Sequence, residues 1–493
     1  MDRGPGLRPA PLSAIGEVNV SKILIKNARA IITCNDGDQV LENADLLVEG
    51  KIITAVGPNL PAEGVDRVVD ASRMYVYPGL VNTHHHFLQA FTRSIPELQQ
   101  ATLFDWLLFM YELWTLVDPA HVYYSSLVGM SELLKTGCTT AFDHHFCFPQ
   151  GVDKVLIDRQ MEAADQTGIR YHAGRSCFTL THKDGGLPPD TLGETTDAFI
   201  KDCERLIDKY HEYEDFGMKR IVIAPCSPFS VLDDTITESI RLAEAKKVRL
   251  HAHLAEAPDE TVYMRERHHK TSFEWAYDLG FVRDDVWYAH AICFSDDEIR
   301  QLGQAGAGAA HCPVSNMKTC AGFMKYPLMK EAGMPIGLAA DGYGAQAGSC
   351  MLGEIRLMYL PHRMNANNQG PAPSGYDCLK TATRGSARVL GRGDIGSLEI
   401  GKAADLFMID VDRLEYCGAH LDPASFPAVV GYNRPVDLTM VNGRVVWEDG
   451  QMLGIDEEKV KIEANKIAAK VYNSGVYQRE TARMRAKNQA PGR

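Results

Sequence analysis

Residues 75–86 have the sequence YVYPGLVNTHHH, which places three histidines directly after an apolar run. If that run is a β-strand, its side chains alternate between two faces, so His84 and His86 point the same way and His85 points the opposite way. Imidazole is a good ligand for zinc and iron, and it titrates near neutral pH. The pattern therefore predicts half of a metal site, unless the histidines are a chance cluster in a loop. Matching ligands elsewhere in the chain decide between the two.

The middle of the chain alternates short apolar runs with longer segments of helical pattern. Eight such units predict the α/β class and a (β/α)8 TIM-type barrel. The alternative is an open doubly wound sheet, but no glycine-rich dinucleotide motif follows the first run. The predicted barrel strands are residues 75–83, 139–143, 170–174, 220–225, 248–253, 286–290, 306–312 and 335–341.

Both ends of the chain have a different texture, with short strands separated by turns such as Asn35-Asp36-Gly37. We therefore predict a small β-sandwich domain assembled from residues 21–77 and 392–455, with the barrel at 78–391. Residues 1–20 are predicted to be a flexible tail. Residues 456–493 are predicted to be a terminal helix followed by a loosely held polar tail.

Composition excludes several classes of protein. The net charge is −13, with 51 basic and 64 acidic residues, so nucleic acid is not an expected partner. No apolar run is long enough to span a bilayer, and the first 20 residues lack the apolar core of a signal peptide. The 12 cysteines contain no Cys-Xaa-Xaa-Cys motif. These features predict a cytoplasmic protein with reduced thiols and no membrane association.

Polar side chains of chemical interest lie where the predicted strands end. In a barrel of this type, the active site is formed at the carboxyl ends of the strands. One buried histidine at a strand end is usually structural, but four strands that end in metal- or proton-active side chains are hard to explain by packing. These residues are His84 and His86 on the first strand, His253 and Glu256 on the fifth, His290 on the sixth and Asp341 on the eighth.

The same segments carry a family resemblance. The sequence resembles the amidohydrolase superfamily, and within it the cytosine deaminase-like and s-triazine hydrolase-like aminohydrolases, over almost the whole chain. Residues 185–190 (GGLPPD) and 224–230 (APCSPFS) resemble the branch that deaminates 8-oxoguanine and isoxanthopterin, alongside hydroxyatrazine aminohydrolases. The main motifs are residues 78–86 (PGLVNTHHH), 253–256 (HLAE), 289–290 (AH), 311–316 (HCPVSN) and 341–342 (DG).

The resemblance implies one divalent metal ion, with zinc expected and iron or manganese as alternatives. Glu256 would be the general acid that protonates a ring nitrogen and then the leaving amine. His290 would hold the attacking hydroxide or polarise the tetrahedral intermediate, and Asp341 would take a proton from the attacking water. Many relatives hold two metals bridged by a carboxylated lysine at the end of the fourth strand, but here that strand ends in residues 224–228 (APCSP), without a lysine, so a single ion is expected. The implied metal ligands are His84, His86, His253 and Asp341.

The resemblance also implies a substrate. We expect an aminohydrolase that releases ammonia from an amino-substituted N-heterocycle, foremost an oxidised purine or pterin. The alternatives are a hydroxy-s-triazine amino- or chlorohydrolase and a cyclic amide hydrolase. Relatives are commonly oligomeric, so a homo-oligomer is expected. The segment after Asp341, Tyr343-Gly344-Ala345-Gln346, departs from the common pattern and leaves the ring open. The candidate substrate-binding residues are Gln89, Trp106 and Arg175.

Overall fold

The computed structural model describes residues 21–346, 348–367 and 370–489. The predicted tail at 1–20 lies outside them. The strands are β1 (Lys22–Ile32), β2 (Val40–Glu49), β3 (Ile52–Gly57), β4 (Arg67–Asp70), β5 (Met74–Pro78), β6 (Leu80–Asn82), β7 (Cys138–His145), β8 (Arg170–Arg175), β9 (Lys219–Ile223), β10 (Leu250–Leu254), β11 (Val286–His290), β12 (Gly308–His311), β13 (Ile336–Leu338), β14 (Leu406–Asp410), β15 (Leu438–Val441), β16 (Arg444–Glu448) and β17 (Gln451–Met452).

Helices separate the strands of the central region and follow the last strand. None of those described is both long and apolar enough to cross a bilayer. The helices are α1 (Leu103–Trp114), α2 (Pro119–Lys135), α3 (Leu156–Thr167), α4 (Thr196–Tyr210), α5 (Asp233–Lys246), α6 (Pro258–His268), α7 (Ser272–Asp278), α8 (Asp296–Ala305), α9 (Pro313–Lys318), α10 (Tyr326–Glu331), α11 (Tyr343–Gln346), α12 (Met351–Ala366), α13 (Gly375–Lys380), α14 (Ser386–Val389), α15 (Phe426–Val429), α16 (Glu457–Tyr472) and α17 (Gly475–Asn488).

Strands β6 to β13 form an eight-stranded parallel sheet within the described residues, each strand pairing with its neighbour in sequence. The sheet closes between its first and last strands. The Thr83 amide donates to the Leu338 carbonyl at 3.2 Å, and the Asp341 amide donates to the His84 carbonyl at 3.1 Å. The predicted TIM-type barrel is therefore confirmed, and closure brings the ends of β6 and β13 together.

The first predicted strand is two strands in two sheets, which corrects the sequence interpretation. β5 pairs antiparallel with β14, whereas β6 pairs parallel with β7. The break between them lies at Gly79. A Cβ atom added there would lie 2.1 Å from Thr139 Oγ1, so no residue with a side chain fits between the strands without a shift.

The second sheet is built from both ends of the chain, as predicted. Its strand order is β17-β16-β15-β14-β5-β1-β2-β3, with β4 added beside β1. The Ile53 amide donates to the Lys402 carbonyl at 3.0 Å, and the Gly401 amide donates to the Ile53 carbonyl at 2.9 Å, so the two parts of the chain are joined directly. Division of the chain after residues 77 and 391 stays a prediction.

The C-terminal segment is more ordered than its polar sequence indicates. Helix α16 lies where a terminal helix was predicted, but a second helix, α17, follows it in place of a loose tail. Glu480 and Met484 of α17 are buried. The prediction was wrong because the partners of this polar helix come from the beginning of the barrel, far away in sequence.

Two hairpin turns of the small domain give a matched test of how its parts pack. Gly443 (φ +77°) and Gly450 (φ +75°) follow residues with the same left-handed conformation, but a Cβ at Gly443 would lie 1.8 Å from the Gly50 carbonyl oxygen, whereas a Cβ at Gly450 meets nothing within 4 Å. Gly443→Ala should therefore lose about 1–3 kcal/mol more unfolding free energy than Gly450→Ala in denaturant titrations. Equal losses would contradict the packing described.

Candidate active site

Three histidines converge at the carboxyl end of the barrel. His84 and His86 follow β6, and His253 lies near the end of β10. The Nε2 atoms of His86 and His253 are 3.2 Å apart. One carboxylate oxygen of Asp341, after β13, lies 3.5 Å from the Nε2 atoms of both His84 and His86. All four side chains are buried, so the sequence-predicted ligands are brought together around one point.

Hydrogen bonds fix which nitrogen of His84 faces that point. His251 Nδ1 donates to the Trp287 carbonyl at 2.8 Å, since a carbonyl can only accept. The His251 Nε2 lone pair then accepts from His84 Nδ1 at 2.9 Å. This leaves a lone pair on His84 Nε2, which is buried and has no hydrogen-bond partner among the described residues. A buried nitrogen in this state suits a metal ion.

The other two histidines are oriented in the same way. His86 Nδ1 donates to the His144 carbonyl at 2.8 Å, and His253 Nδ1 donates to the Cys226 carbonyl at 3.0 Å. Burial lowers the pKa of His86 to about 3 and that of His253 well below its usual range, so both rings are neutral at physiological pH. Three neutral Nε2 lone pairs and one carboxylate form a donor set that fits a tetrahedral or five-coordinate divalent cation.

Glu256 and His290 flank the donor set. A Glu256 carboxylate oxygen lies 3.4 Å from His290 Nε2, and His290 Nδ1 donates to Asn316 Oδ1 at 2.9 Å. Burial raises the pKa of Glu256 to about 7, so the carboxyl group exchanges protons near neutral pH. Burial opposes protonation of His290, but the charges of Glu256 and Asp341 raise its pKa nonetheless. The arrangement can hold or move a proton beside the ligand cluster.

The backbone at these positions is strained. His290 and Asp341 adopt left-handed conformations, with φ of +69° and +62°, and Ala255 beside Glu256 has φ of +54°. Such conformations cost on the order of 1 kcal/mol or more for residues with a Cβ and are concentrated at functional sites. The loop that carries Glu256 is held by Glu260, whose carboxylate accepts from the amides of Ala255 at 2.7 Å and Glu256 at 3.0 Å.

A cavity opens beside the ligands. Gln89 and Trp106, the predicted substrate-binding residues, line it together with Ser227 and Thr319. That they bind substrate stays a prediction. Most of the wall is apolar or aromatic, made by Leu103, Trp106, Leu107, Tyr111, Trp114, Phe146, Phe178, Phe229 and Ala345.

Arg175 does not reach the cavity, and its prediction as a substrate-binding residue is wrong. Its buried guanidinium donates to both carboxylate oxygens of Glu194, at 2.8 and 2.9 Å, and to Asp202 at 2.7 Å. The Phe148 ring lies over the same group, 3.5 Å from its centroid. A buried arginine needs such carboxylate partners, and they hold the guanidinium outside the lining of the cavity.

Gln89 is held by the segment that departs from the family pattern. Its Oε1 accepts from the Gly344 amide at 2.9 Å, which leaves the amide nitrogen as the donating end. A Cβ at Gly342 would lie 2.2 Å from Gln89 Oε1, so this side chain requires a glycine after Asp341. Tyr343 turns away, and its hydroxyl donates to Glu132 at 2.6 Å.

Four residues that orient the site were not predicted from the sequence: His144, His251, Glu260 and Asn316. For His251 and His144 the sequence does carry a signal. The fifth strand carries a second histidine two residues before His253, and the second strand ends in Asp143-His144-His145. His85 behaves as a structural residue, because its Nε2 lies 2.6 Å from Ser349 Oγ.

Comparison with known proteins places the chain. The model of the Amidohydrolase family matches residues 75–446, which covers the barrel and the strands that flank it. The chain belongs to the amidohydrolase family. The barrel, the histidine pair after β6 and the aspartate after β13 are therefore features of an amidohydrolase.

Curated relatives and solved structures span nearly the whole of this amidohydrolase. Hydroxydechloroatrazine ethylaminohydrolase of Pseudomonas sp. (strain ADP) is 41% identical over 90% of this chain and 94% of its own. The 8-oxoguanine deaminase of Pseudomonas aeruginosa is 39% identical over 89% and 96%. The structure of atrazine chlorohydrolase from Arthrobacter aurescens TC1, complexed with zinc, superposes with a TM-score of 0.87 at 33% identity, covering 90% of this chain and all of that one.

The orientation of His84 can be tested through His251. His251→Phe removes the acceptor of His84 Nδ1, so metal affinity should fall about 10- to 100-fold. His251→Gln should retain most of it, because its amide can accept from His84 and donate to the Trp287 carbonyl together. Zinc loss to a chelator, followed over time, measures both. A phenylalanine variant that retains zinc as firmly as the parent would overturn the relay.

Proposed function

We propose that this amidohydrolase is a metal-dependent aminohydrolase that replaces an amine on a nitrogen heterocycle with an oxygen from water. The observation that carries the proposal is the position of Glu256, whose carboxyl group lines the cavity beside His290 and the buried donor set. Relatives named for the same chemistry act on an ethylamino-s-triazine and on 8-oxoguanine.

We assign one divalent ion, with zinc foremost, to His84, His86, His253 and Asp341. This assignment rests on the three oriented Nε2 lone pairs and on the His84 Nε2 atom left without a partner. A cation held there would lower the pKa of a bound water to about 7 and so supply a nucleophile at neutral pH. With no lysine at the end of β9, nothing in the donor set calls for a second ion.

The proton steps fall to three side chains. Asp341 accepts a proton from the attacking water. Glu256, with its pKa raised by burial to about 7, donates a proton to a ring nitrogen, which neutralises the negative charge that addition of hydroxide to the neighbouring carbon would place there. His290 donates from Nε2 to the oxygen added at that carbon while Asn316 holds its other nitrogen.

The net reaction balances as an exchange of water for amine. A carbon–oxygen bond forms at the ring carbon, and the carbon–nitrogen bond to the exocyclic amine breaks. The two hydrogens of water end on the leaving amine and on the ring nitrogen or carbonyl oxygen. After the first transfer Glu256 is a carboxylate, so it accepts the proton of the added hydroxyl and delivers it to the departing nitrogen. The proton held by Asp341 then passes to Glu256, and both side chains are back in their starting states.

The polar and apolar groups of the cavity wall indicate which class of heterocycle it can bind. The sequence favours an oxidised purine or pterin, whose edges carry several carbonyl and N–H groups. Each of these costs about 1–3 kcal/mol if buried without a partner. With Arg175 absent, the polar groups besides the catalytic ones come from Gln89, Cys226, Ser227 and Thr319, from the Tyr111 hydroxyl, and from the indole N–H groups of Trp106 and Trp114. The apolar wall favours a second candidate, a hydroxy-s-triazine with an N-alkylamino group, since each buried methylene gains about 0.8 kcal/mol.

We further propose that the enzyme works in the cytoplasm, because all its cysteines are free and most are buried. A homo-oligomer stays a prediction.

Replacement of Glu256 tests the proton transfer. Glu256→Gln keeps the size and hydrogen-bonding capacity of the side chain but cannot release a proton, so turnover should fall by about 10²–10⁴ while metal content is unchanged. The matched control is Glu266→Gln, an exposed glutamate of the following helix, which should behave as the parent. Parent-like turnover of Glu256→Gln, measured by amine release, would remove Glu256 from the mechanism.

A substrate panel tests the leaving group. The panel contains 8-oxoguanine, isoxanthopterin, a hydroxy-s-triazine with one ethylamino group, atrazine and a cyclic amide. We expect ammonia or ethylamine release from at least one aminated ring, and a higher kcat/KM for the ethylamino triazine than for 8-oxoguanine. Chloride release alone, or ring opening of the cyclic amide without amine release from the others, would contradict the aminohydrolase assignment.

A further inference from the structure

Helix α1 has two faces with different neighbours. The residues of one face line the cavity and recur at spacings of three and four, as one side of a helix requires. The opposite face carries Asp105, Leu108, Phe109 and Glu112, which contact helix α17. The cavity face consists of Leu103, Trp106, Leu107, Tyr111 and Trp114.

Contacts from α17 reach both ends of α1. Lys487 donates to Asp105 in the first turn of α1, and Arg479 pairs with Glu112 in its last turn at 2.9 Å. Between them the Arg483 guanidinium donates to the Leu108 carbonyl at 3.2 Å. Helix α1 therefore lies between the cavity and the basic helix α17, which contacts the outer side of α1 along its length.

A third ion pair fixes the turn that precedes α1. Arg485 lies 2.7 Å from a carboxylate oxygen of Glu97, and the Glu97 side chain is only 7% exposed. Asn488 donates its side-chain amide to the Glu97 carbonyl at 3.2 Å. An exposed ion pair contributes little, but a nearly buried carboxylate that loses its cation is left unpaired at considerable cost. Arg485 is therefore the strongest single contact of the group.

We propose that α17 is a clamp that sets the position of α1 and thereby the affinity for substrate, with Arg479, Arg485 and Lys487 as positioning residues. The clamp proposal rests on the proposed function in one respect, namely that the cavity is the substrate site. None of the metal donors lies on α1, and Glu256 and His290 belong to other segments. Loosening the clamp should therefore weaken substrate binding while the metal site and the chemical step are kept.

The test compares Arg485→Ala with the double variant Arg485→Ala/Glu97→Gln, in which the orphaned charge is also removed. The matched control is Arg241→Ala, which removes a surface pair with Glu238 on a distant helix. Hydrogen exchange of residues 97–114 is followed by mass spectrometry, with zinc content and the KM and kcat for the best substrate of the panel. The exchange measurement needs no substrate, so it separates failure of the clamp from failure of the proposed function.

We expect Arg485→Ala to exchange faster over 97–114 and to raise KM about three- to tenfold, with kcat and zinc content near the parent values and substantial recovery in the double variant. Arg485→Lys keeps the positive charge, so its exchange over 97–114 and its KM should be close to the parent values. Unchanged exchange and KM, or a loss in kcat without a change in KM, would overturn the clamp. If Arg485→Ala does not fold, the parent enzyme in rising salt decides. Salt screens the partly exposed ion pairs between α17 and the segment 97–112, so KM should rise with salt concentration. A KM that does not depend on salt would overturn the clamp.

Discussion

Two backbone hydrogen bonds between the first and last barrel strands are the constraint on which the site depends. They join Thr83 to Leu338 and Asp341 to His84, residues more than 250 positions apart in the chain. Because they close the sheet, the carboxylate of Asp341 arrives beside the imidazoles of His84 and His86. The break at Gly79 also helps to place the histidines. It lets the chain pass from β5 of the small sheet to β6 of the barrel directly before His84 and His86.

The second layer of the site is electrostatic. The His144 carbonyl orients His86, the Cys226 carbonyl orients His253, and the Trp287 carbonyl orients His84 through His251. The Nε2 lone pairs of the three rings are therefore turned inward by uncharged acceptors. Burial keeps these rings neutral and at the same time raises the pKa of Glu256 towards neutrality. One property, exclusion of water from the barrel mouth, thus prepares both the ligands and the proton carrier.

The sequence predicted what depends on local pattern. Alternation of apolar runs and helices predicted the barrel, which the structure confirms. Side chains at strand ends predicted the group that lies together at the barrel mouth, including Glu256 and His290, and their roles stay predictions. The sequence could not reveal contacts between distant segments. Arg175 has the right strand position, but Glu194 and Asp202 take its guanidinium. The partners of α17 lie 367 to 391 residues upstream, so its polar sequence indicated a loose tail. The orientation of Gln89 likewise depends on Gly342 and Gly344 after the last strand.

The central claim is that one divalent cation is held by three neutral imidazoles and one carboxylate, with Glu256 free to carry protons. Anomalous diffraction from zinc-loaded crystals tests it most directly. We expect one peak, bonded to the Nε2 atoms of His84, His86 and His253 and to the Asp341 carboxylate at about 2.0–2.2 Å, with Glu256 outside the coordination sphere. Two bridged peaks, or a peak coordinated by Glu256, would contradict the account.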